Sequence, residues 1–390
     1  MMSREELREL ADFECRQPDE FAISFYFEPG LPKDKSHREE AILAKDLVRR
    51  TLQELEINVK SRSTIADLER ILQLAESLHG NRARAKVVFA CSGRQLWKEF
   101  DLPANGGETR LIVNRRFHLK PVVPIFSEYP RLWVALLDRQ NARFVEVDFE
   151  TVKEQSHLSN PVPRHGRSDG FAGYSAGHAE RHVADEVRRH FQEAADYLKS
   201  AAERKLFDGL VVGCQDTIWP EIKDVLHADV NKKVLGRISG ECGAMTDEKA
   251  AEEGRRIAAE VLNRKHRELL ATALEGSRSN GRGVTGLRRV LRATEQGEVE
   301  TIIMARDYSA RAVECTNCRH LDSHLVPYCP LCGRSTRQLD DVCDALVPFA
   351  VRNKLGLVLL PPQESLNQIG NIAAVLRFRA DQNVNQFIAS

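Results

Sequence analysis

Two short stretches of the chain carry side chains whose types and spacing can do chemistry. The first is CTNCRHLDSHLVPYCPLC, in which two CxxC pairs are separated by ten residues. Four thiolates at this spacing can close a tetrahedron around zinc and leave no position for water, which is typical of structural sites. The predicted ligands of a structural Zn2+ ion are Cys315, Cys318, Cys329 and Cys332.

The sequence leaves alternatives to this metal site open. His320 and His324 lie between the two pairs and could compete as ligands, and four unpaired thiols are the simplest alternative. Several arginines surround the module, which suits either RNA phosphate or a solvated surface. A bound metal would contribute directly to folding, because so short a segment cannot build a hydrophobic core.

The second stretch, residues 163–182, has the sequence PRHGRSDGFAGYSAGHAERH, with four glycines within twelve positions. Glycine lets the backbone approach a ligand closely, arginine contacts phosphate, and aromatic rings stack on unpaired bases. We therefore expect this loop to contact RNA. The predicted contact residues in the loop are Arg164, His165, Gly166, Arg167, Phe171 and Tyr174.

Other chemistry in this loop has less support from its residues. His178 and His182 lie four positions apart and could share a metal ion, but the HExxH pattern is not met and no third ligand is evident. His165 or Asp169 could act as a general base if a water molecule lay within reach. A flexible connection is a further alternative.

Strands and helices must position these two stretches. Along the chain, apolar runs that are typical of strands alternate with segments of helical periodicity. Strands are predicted at Ala22–Phe27, Lys86–Ser92 and Asp208–Cys214, with a β-hairpin over Arg131–Asp148. Helices are predicted from Arg38, over Ser63–Leu78 and, after the glycine-rich loop, over His178–Lys205. Strands that alternate with helices predict an α/β fold.

Length and composition shifts predict three α/β domains, over residues 1–127, 128–276 and 277–390. HLKPVVPIF, near the first boundary, is typical of an extended linker, and GSRSNGRG, at the second, is typical of a flexible one. The glycine-rich loop, residues 163–178, lies in the middle domain. The cysteine module, residues 315–332, lies in the last.

Composition excludes several classes of protein. The 390 residues carry no formal net charge, so the chain does not coat nucleic acid by bulk electrostatics. No apolar run approaches the ~20 residues of a membrane helix, and the N-terminus is polar, so we expect a cytoplasmic protein without a membrane partner. Nine cysteines, an odd number, do not suggest a disulfide framework, and Cys91 and Cys214 are expected to be buried small side chains.

The last domain resembles a known family. GLRRVLRATEQGEVETIIMARD, the cysteine module and SLNQIGNIAAVLRF together resemble the C-terminal domain of class I peptide-chain release factors and of Pelota. The order of the three domains is most similar to the bacterial archaeo-eukaryotic release factor-like group, which includes the ribosome hibernation factor Balon. The resemblance implies a decoding-like first domain, an RNase H-like middle domain and a kink-turn-protein-like last domain carrying a zinc ribbon.

The resemblance also assigns roles to two motifs. Asn58, Val59, Lys60 and Ser61 stand where release factors carry an Asn-Ile-Lys-Ser loop that contacts the codon, so Asn58, Lys60 and Ser61 are predicted to contact RNA. A polar turn between two helices is the alternative. His165-Gly166-Arg167 matches the lead-in to the Gly-Gly-Gln tip of release factors, which reaches the peptidyl-transferase centre, but no glutamine follows in this loop.

We therefore expect a ribosome-binding translation factor that occupies the A site of stalled or idle ribosomes, in hibernation or rescue, and is not an enzyme. Ribosomal RNA and an elongation-factor-type GTPase are the partners that the resemblance implies, and no small-molecule substrate is evident. A release factor or peptidyl-tRNA hydrolase with a divergent loop is the first alternative. An interaction protein unconnected with ribosomes is the second, and the zero net charge is its best support.

Overall fold

The predicted α/β class is confirmed in a computed structural model of the protein. The structure describes residues 2–15, 17, 20–29, 38–58, 61–78, 85–102, 108–128, 131–148, 151–159, 174–241 and 245–379. The chain divides into two compact units, where the sequence predicted three domains. Residues 1–126 form one unit together with residues 268–390, and residues 127–267 form the other. The first and last predicted domains therefore fold as one body.

The N-terminal part of the first unit is an antiparallel sheet in the order β3-β2-β1-β4, covered by helices. Alternate residues of the fully buried β1, Ile23, Phe25 and Phe27, pack with Val48 and Leu68 of the two long helices. Burial of such side chains contributes about 1.5–3 kcal/mol each. The elements are α1 (Arg4–Asp12), β1 (Ala22–Phe27), α2 (Arg38–Asn58), α3 (Arg62–Ser77), β2 (Ala85–Cys91), β3 (Leu96–Leu102), β4 (Arg110–Asn114) and α4 (Val123–Glu128).

The segment HLKPVVPIF is not the extended linker that its prolines suggested. Residues Lys120–Val122 form a 3-10 turn and α4 follows directly. Pro121 lies in the first turn of this helical stretch, where a backbone N–H has no intrahelical partner to lose. The prediction was wrong because proline excludes the interior of a helix but suits its start.

The second unit holds a five-stranded sheet in the order β7-β6-β5-β8-β9. The predicted hairpin is confirmed as the antiparallel pair β5 and β6, while β5, β8 and β9 run parallel. Phe191 and Leu198 of the long helix α5 pack against the sheet at Phe144 and Val212. The elements are β5 (Leu132–Leu137), β6 (Asn141–Asp148), β7 (Thr151–Ser159), α5 (Tyr174–Glu203), β8 (Gly209–Cys214), α6 (Trp219–Val225), α7 (Ala228–Asn231), β9 (Val234–Ser239) and α8 (Asp247–Arg278).

The glycines of GSRSNGRG serve close packing rather than flexibility. Helix α8 continues through this segment to Arg278, and the next strand already begins at Gly283. A Cβ atom at Gly283 would lie 2.2 Å from the carbonyl oxygen of Ala273, so only glycine fits there. The prediction of a flexible linker was therefore wrong.

The C-terminal part of the first unit combines a four-stranded sheet, in the order β10-β16-β11-β15, with a small sheet in the order β13-β12-β14 that carries the cysteines. No helix of the described residues is long and apolar enough to cross a membrane. The elements are β10 (Gly283–Thr285), α9 (Leu287–Glu295), β11 (Val299–Ala305), β12 (Ala312–Cys315), β13 (Leu321–Asp322), β14 (Thr336–Leu339), α10 (Cys343–Arg352), β15 (Gly356–Leu360), α11 (Glu364–Asn367) and β16 (Ile372–Leu376).

Candidate functional site

The two CxxC pairs meet in space as the sequence predicts. All four sulfur atoms lie within 4.8 Å of one another, with Cys315 and Cys332 3.3 Å apart and Cys318 and Cys329 3.5 Å apart. These separations are well beyond the ~2.05 Å of a disulfide bond. Tetrahedral zinc with Zn–S bonds of ~2.3 Å places its sulfurs roughly 3.8 Å apart, so the four cysteines fit a thiophilic metal ion.

The local backbone explains why the cysteines converge. Strand β12 ends at Cys315, and the N–H groups of Asn317 and Cys318 turn back to donate to its sulfur, each at 3.4 Å. In the second turn, the N–H of Gly333 donates to the carbonyl of Cys329 at 2.9 Å. Gly333 has a φ of +71°, a left-handed conformation that glycine adopts without strain. Each pair therefore folds as a tight turn that directs its sulfurs to one side.

The thiols of this group hold their protons unequally. The N–H of Arg334 and the Cys315 thiol donate to Cys332 and lower the pKa of its thiol to about 6. Although the N–H of His320 donates to Cys318, desolvation and its three thiol neighbours raise the pKa of that thiol to about 12. Four negative thiolates this close repel one another. All four lose their protons together only where a cation compensates the charge.

The two histidines of the module bind carboxylates. Nδ1 of His320 lies 2.5 Å from Oε1 of Glu295, and Nδ1 of His324 lies 3.0 Å from Oδ1 of Asp322. The group of possible metal ligands found among the described residues contains the four cysteines and neither histidine. The cysteines thus form the candidate metal centre without them.

A charge cluster fastens this centre to the N-terminal part of the same unit. Its members are Glu14, Arg116, Glu314, Arg337 and the half-exposed Arg319. Glu314 directly precedes the first cysteine and is 3% exposed; Arg116, which is 4% exposed, donates to both of its carboxylate oxygens, at 2.9 and 2.7 Å. Glu14 accepts from Arg116 at 2.9 Å and from Arg337 at 2.6 Å, and Arg319 lies 2.9 Å from it. Two of the arginines around the module, Arg319 and Arg337, therefore pair with protein carboxylates, although Arg319 stays half-exposed.

The guanidinium groups also set the protonation of the cluster. Burial by itself would raise the pKa of Glu14, but Arg116, Arg337 and Arg319 outweigh it and lower that pKa. Glu14 is therefore ionised at neutral pH, and the cluster holds together as an ion-pair network. Breaking one buried pair of this kind leaves an uncompensated charge, which is costly.

A second set of buried contacts joins the same two parts of the unit. Nδ1 of His118 lies 2.7 Å from Oδ1 of Asp344, at the start of α10, and the Asn114 amide donates to the other oxygen at 2.7 Å. Arg352, at the end of α10, donates to the Ala11 carbonyl in α1 at 3.0 Å. These contacts and the charge cluster explain why the first and last predicted domains form one body.

A cavity of about 750 Å³ opens beside the metal centre. Its lining includes Cys318 and Cys332, which are exposed, together with Arg319 and Arg352. Solvent and small chelators therefore have a path to Cys318 and Cys332, whereas Cys315 and Cys329 are buried.

Ser61 is the one residue predicted to contact a codon whose side chain the structure describes. Asn58 is the last residue of α2, and Lys60 lies outside the described residues. Ser61 is 4% exposed and caps α3: its hydroxyl accepts from the Thr64 N–H at 3.4 Å and lies 2.8 Å from the Thr64 hydroxyl. Its side chain has a structural role, and an RNA contact at Ser61 stays a prediction.

The glycine-rich loop joins the end of β7 to the start of α5. Tyr174 is the first residue of α5, and the other predicted contact residues lie outside the described part of the chain: Arg164, His165, Gly166, Arg167 and Phe171. The described residues show what holds the base of this loop. Helix α5 runs from the loop into the core of the second unit, where Phe191, Leu198 and their neighbours are fully buried.

Sequence reasoning missed the charge cluster. Its members lie in four separate segments, and Arg116 and Glu314 are 198 positions apart. The only local signals are charged residues in apolar surroundings, as Glu314 has in RAVEC. Such a residue indicates that a buried partner exists, but the sequence does not say which one.

The middle of the chain matches a known protein family. Residues 118–274 match the model of the bacterial archaeo-eukaryotic release factor family 10. This part of the chain is therefore similar to the bacterial archaeo-eukaryotic release factor-like group. The match covers the second unit, including the glycine-rich loop and α5. A search of curated proteins found no match.

Solved structures of translation factors align with most of the chain at low identity. An archaeal translation termination factor, aRF1, is 15% identical, covers 97% of this chain and 99% of its own, and has a TM-score of 0.26. Dom34 of S. cerevisiae is 10% identical, with 77% and 81% covered and a TM-score of 0.41. Archaeal Pelota, in a model of its ribosome-bound form with ABCE1, is 14% identical, with 76% and 78% covered and a TM-score of 0.40.

Proposed function

We propose that this release factor-like protein binds the A site of stalled or idle ribosomes, in hibernation or rescue, without hydrolysing peptidyl-tRNA. One observation carries the proposal: the segment that matches the family, residues 118–274, contains a loop that begins like a release-factor tip and has no glutamine. The family match supports a translation factor. The missing glutamine argues against the release reaction.

The residues of the loop suit occupation of an RNA-lined tunnel. Arg164 and Arg167 offer contacts to phosphate, and Phe171 and Tyr174 can stack on unpaired bases. A release reaction needs a group that positions water at the ester bond, and the next glutamine, Gln192, lies well inside α5. We infer that the loop is a probe that fills the site, and that the protein is not an enzyme.

The helix that follows this loop is anchored in the core of the second unit. Helix α5 is 30 residues long, and its second half packs in the core of the second unit. Phe191 and Leu198 are both fully buried there, so displacing the helix would cost several kcal/mol. The loop that leaves such a helix is presented from a fixed point.

The remaining partners follow from the family. We propose that Asn58 and Lys60 approach the decoding centre, that ribosomal RNA is the main surface bound, and that an elongation-factor-type GTPase docks on the C-terminal part. We propose Zn2+ as the ion of the four cysteines, because a closed set of four thiolates at tetrahedral spacing is the donor set that zinc prefers.

The proposal is tested by sedimentation with bacterial ribosomes on sucrose gradients, with and without messenger and P-site tRNA. We expect binding to empty ribosomes and no peptide release from the bound fraction. Arg164→Ala with Arg167→Ala should weaken binding and reduce the slope of log K against log salt concentration by about 1 for each phosphate that is no longer bound. Arg139→Ala, an exposed arginine in the β5–β6 turn, is the control and should bind like the wild type.

Release activity is the second candidate, because His165-Gly166-Arg167 matches the lead-in of the catalytic tip. Turnover of peptidyl-tRNA on loaded ribosomes that is abolished in His165→Ala would replace the proposal with a hydrolase. No association with ribosomes at low salt would instead favour an interaction protein that works elsewhere. Unchanged binding in the double arginine variant would show that the loop is not the probe.

A further inference from the structure

A second group of sulfur atoms lies in the N-terminal part of the first unit. The sulfurs of Cys15 and Cys91 are 3.8 Å apart, although 76 positions separate the two residues. Both side chains are buried, at 1% and 2% exposure. The sequence suggested only that Cys91 is a small buried side chain, and the metal centre uses neither residue.

The backbone holds both cysteines in place. The N–H of Cys15 donates to the carbonyl of Arg115 at 2.8 Å, and the ring of Phe13 lies 4.6 Å from that of Phe117. Cys91 is the last residue of β2 and pairs with Leu96 across the turn to β3. The two sulfurs therefore face each other from two fixed segments of one folded body.

The distance between the sulfurs is short enough for a covalent bond to form. A disulfide needs a separation of ~2.05 Å, so each sulfur must move by roughly 0.9 Å, which rotation about the Cα–Cβ bonds can supply. Disulfide formation also needs one sulfur to be the better nucleophile. The thiol of Cys15 donates to Cys91, and the N–H of Arg94 donates to the same sulfur; against the effect of burial, these lower the pKa of Cys91.

An exposed turn lies next to the buried pair in the sequence. Residues Ser92–Gln95, which follow Cys91 directly, are all exposed. This turn is fastened by Asp67, whose carboxylate accepts from the Ser92 N–H at 2.7 Å and from the Ser92 hydroxyl. Opening of this turn would increase access to Cys91, because the turn follows Cys91 directly in the chain.

We propose that Cys15 and Cys91 form a redox-active pair that a small peroxide converts into an intramolecular disulfide. The sulfur of Cys91 attacks one oxygen of the peroxide, the O–O bond breaks, and the departing hydroxide takes a proton to become water. Cys91 is then a sulfenic acid. The sulfur of Cys15 attacks the Cys91 sulfur, the S–O bond breaks, and the second oxygen leaves as water with the proton of Cys15. Two thiols are oxidised, and one peroxide is reduced to two waters.

The disulfide would restrain the charge cluster, because Cys15 is the chain neighbour of Glu14. Cys15 follows Glu14, which binds Arg116 and Arg337, and α1 ends three residues before Cys15. A bond to Cys91 would tie this segment to the sheet of the N-terminal part. Oxidation would therefore strengthen the attachment of the cysteine module to that sheet.

The test uses the full chain with its metal bound. The protein is titrated with hydrogen peroxide, quenched in acid, alkylated under denaturing conditions and mapped by mass spectrometry. We expect a linked pair of peptides containing Cys15 and Cys91, lighter than the two reduced peptides by two hydrogen atoms, which dithiothreitol separates again. Cys343→Ser, which removes another buried thiol, should leave the pair intact, and Cys91→Ser should abolish it.

The wild-type protein alone can overturn the proposal, so the result does not depend on whether a variant folds. If Cys15 and Cys91 are still alkylated at a peroxide dose that has already oxidised the cysteines of the metal centre, the pair is not redox-active. Thermal unfolding gives a second readout. Peroxide should raise the Tm of Cys343→Ser as it does that of the wild type, and an equal rise in Cys15→Ser would also refute the proposal.

Discussion

Among the described residues, two groups of cysteine thiols face one another, and they differ in the number of sulfurs and in solvent access. The metal centre has four sulfurs, two of them exposed, in turns whose N–H groups donate to sulfur. The Cys15–Cys91 pair has two sulfurs, both buried. Two thiols cannot complete a tetrahedral site, while four can. The number of sulfur donors and their access to solvent thus distinguish the candidate metal centre from the proposed redox pair.

The largest expected effect is on metal binding, which should depend on the four cysteines of the metal centre and not on the Cys15–Cys91 pair. Cys329→Ser should abolish zinc binding and unfold the module around the site, because binding free energies of structural zinc reach the order of 10 kcal/mol. Elemental analysis should find one zinc per chain in the wild type and none in the variant. Cys15→Ser is the matched control and should keep its zinc, and absence of zinc there would mean that the two groups are not independent.

Variants of the charge cluster test how the metal centre is attached to the rest of the unit without changing its cysteines. Arg116→Met keeps apolar bulk but leaves Glu314 buried without its partner, which should cost about 3–5 kcal/mol in urea unfolding of the zinc-bound protein. Arg319→Met removes an arginine that is 52% exposed, and it should cost less than about 1 kcal/mol. Equal decreases in stability in the two variants would show that burial of the Arg116–Glu314 pair does not determine its contribution.

The turn that follows Cys91 has a smaller predicted effect on stability than the buried Arg116–Glu314 pair. Asp67→Ala removes the acceptor for the Ser92 N–H and hydroxyl, which should cost about 1–3 kcal/mol. The opened turn should also speed oxidation of Cys91 by peroxide several-fold, measured by differential alkylation. Glu69→Ala, an exposed carboxylate on the same helix, is the control. Unchanged oxidation in Asp67→Ala would mean that this turn does not limit access.

Predictions from the sequence succeeded where the signal is local. Strand β1 was predicted with its observed bounds, Ala22–Phe27, and the hairpin over Arg131–Asp148 is present. The four cysteines meet because each CxxC pair is a single turn. The linker predictions failed, because the meaning of proline in HLKPVVPIF and of glycine in GSRSNGRG depends on what packs against them.

The roles predicted for the RNA-contacting residues show a different limit. Ser61 is a helix cap, a role that also requires a short polar residue between two helices, so its type alone did not distinguish the two uses. The RNA contacts of Lys60 and of the arginines of the glycine-rich loop stay predictions, which ribosome-binding measurements have to test.

The sequence by itself determined the α/β class, the positions of the long helices and the four cysteines of the candidate metal centre, because turns and periodicities involve residues close together in the chain. Only the tertiary structure decided that Arg116 meets Glu314, that Cys15 meets Cys91, and that the first and last parts fold as one unit. These contacts join residues 76 or more positions apart, and many charged or apolar partners satisfy either side chain equally well. Packing of the whole unit selects among them, because it determines which segments are neighbours.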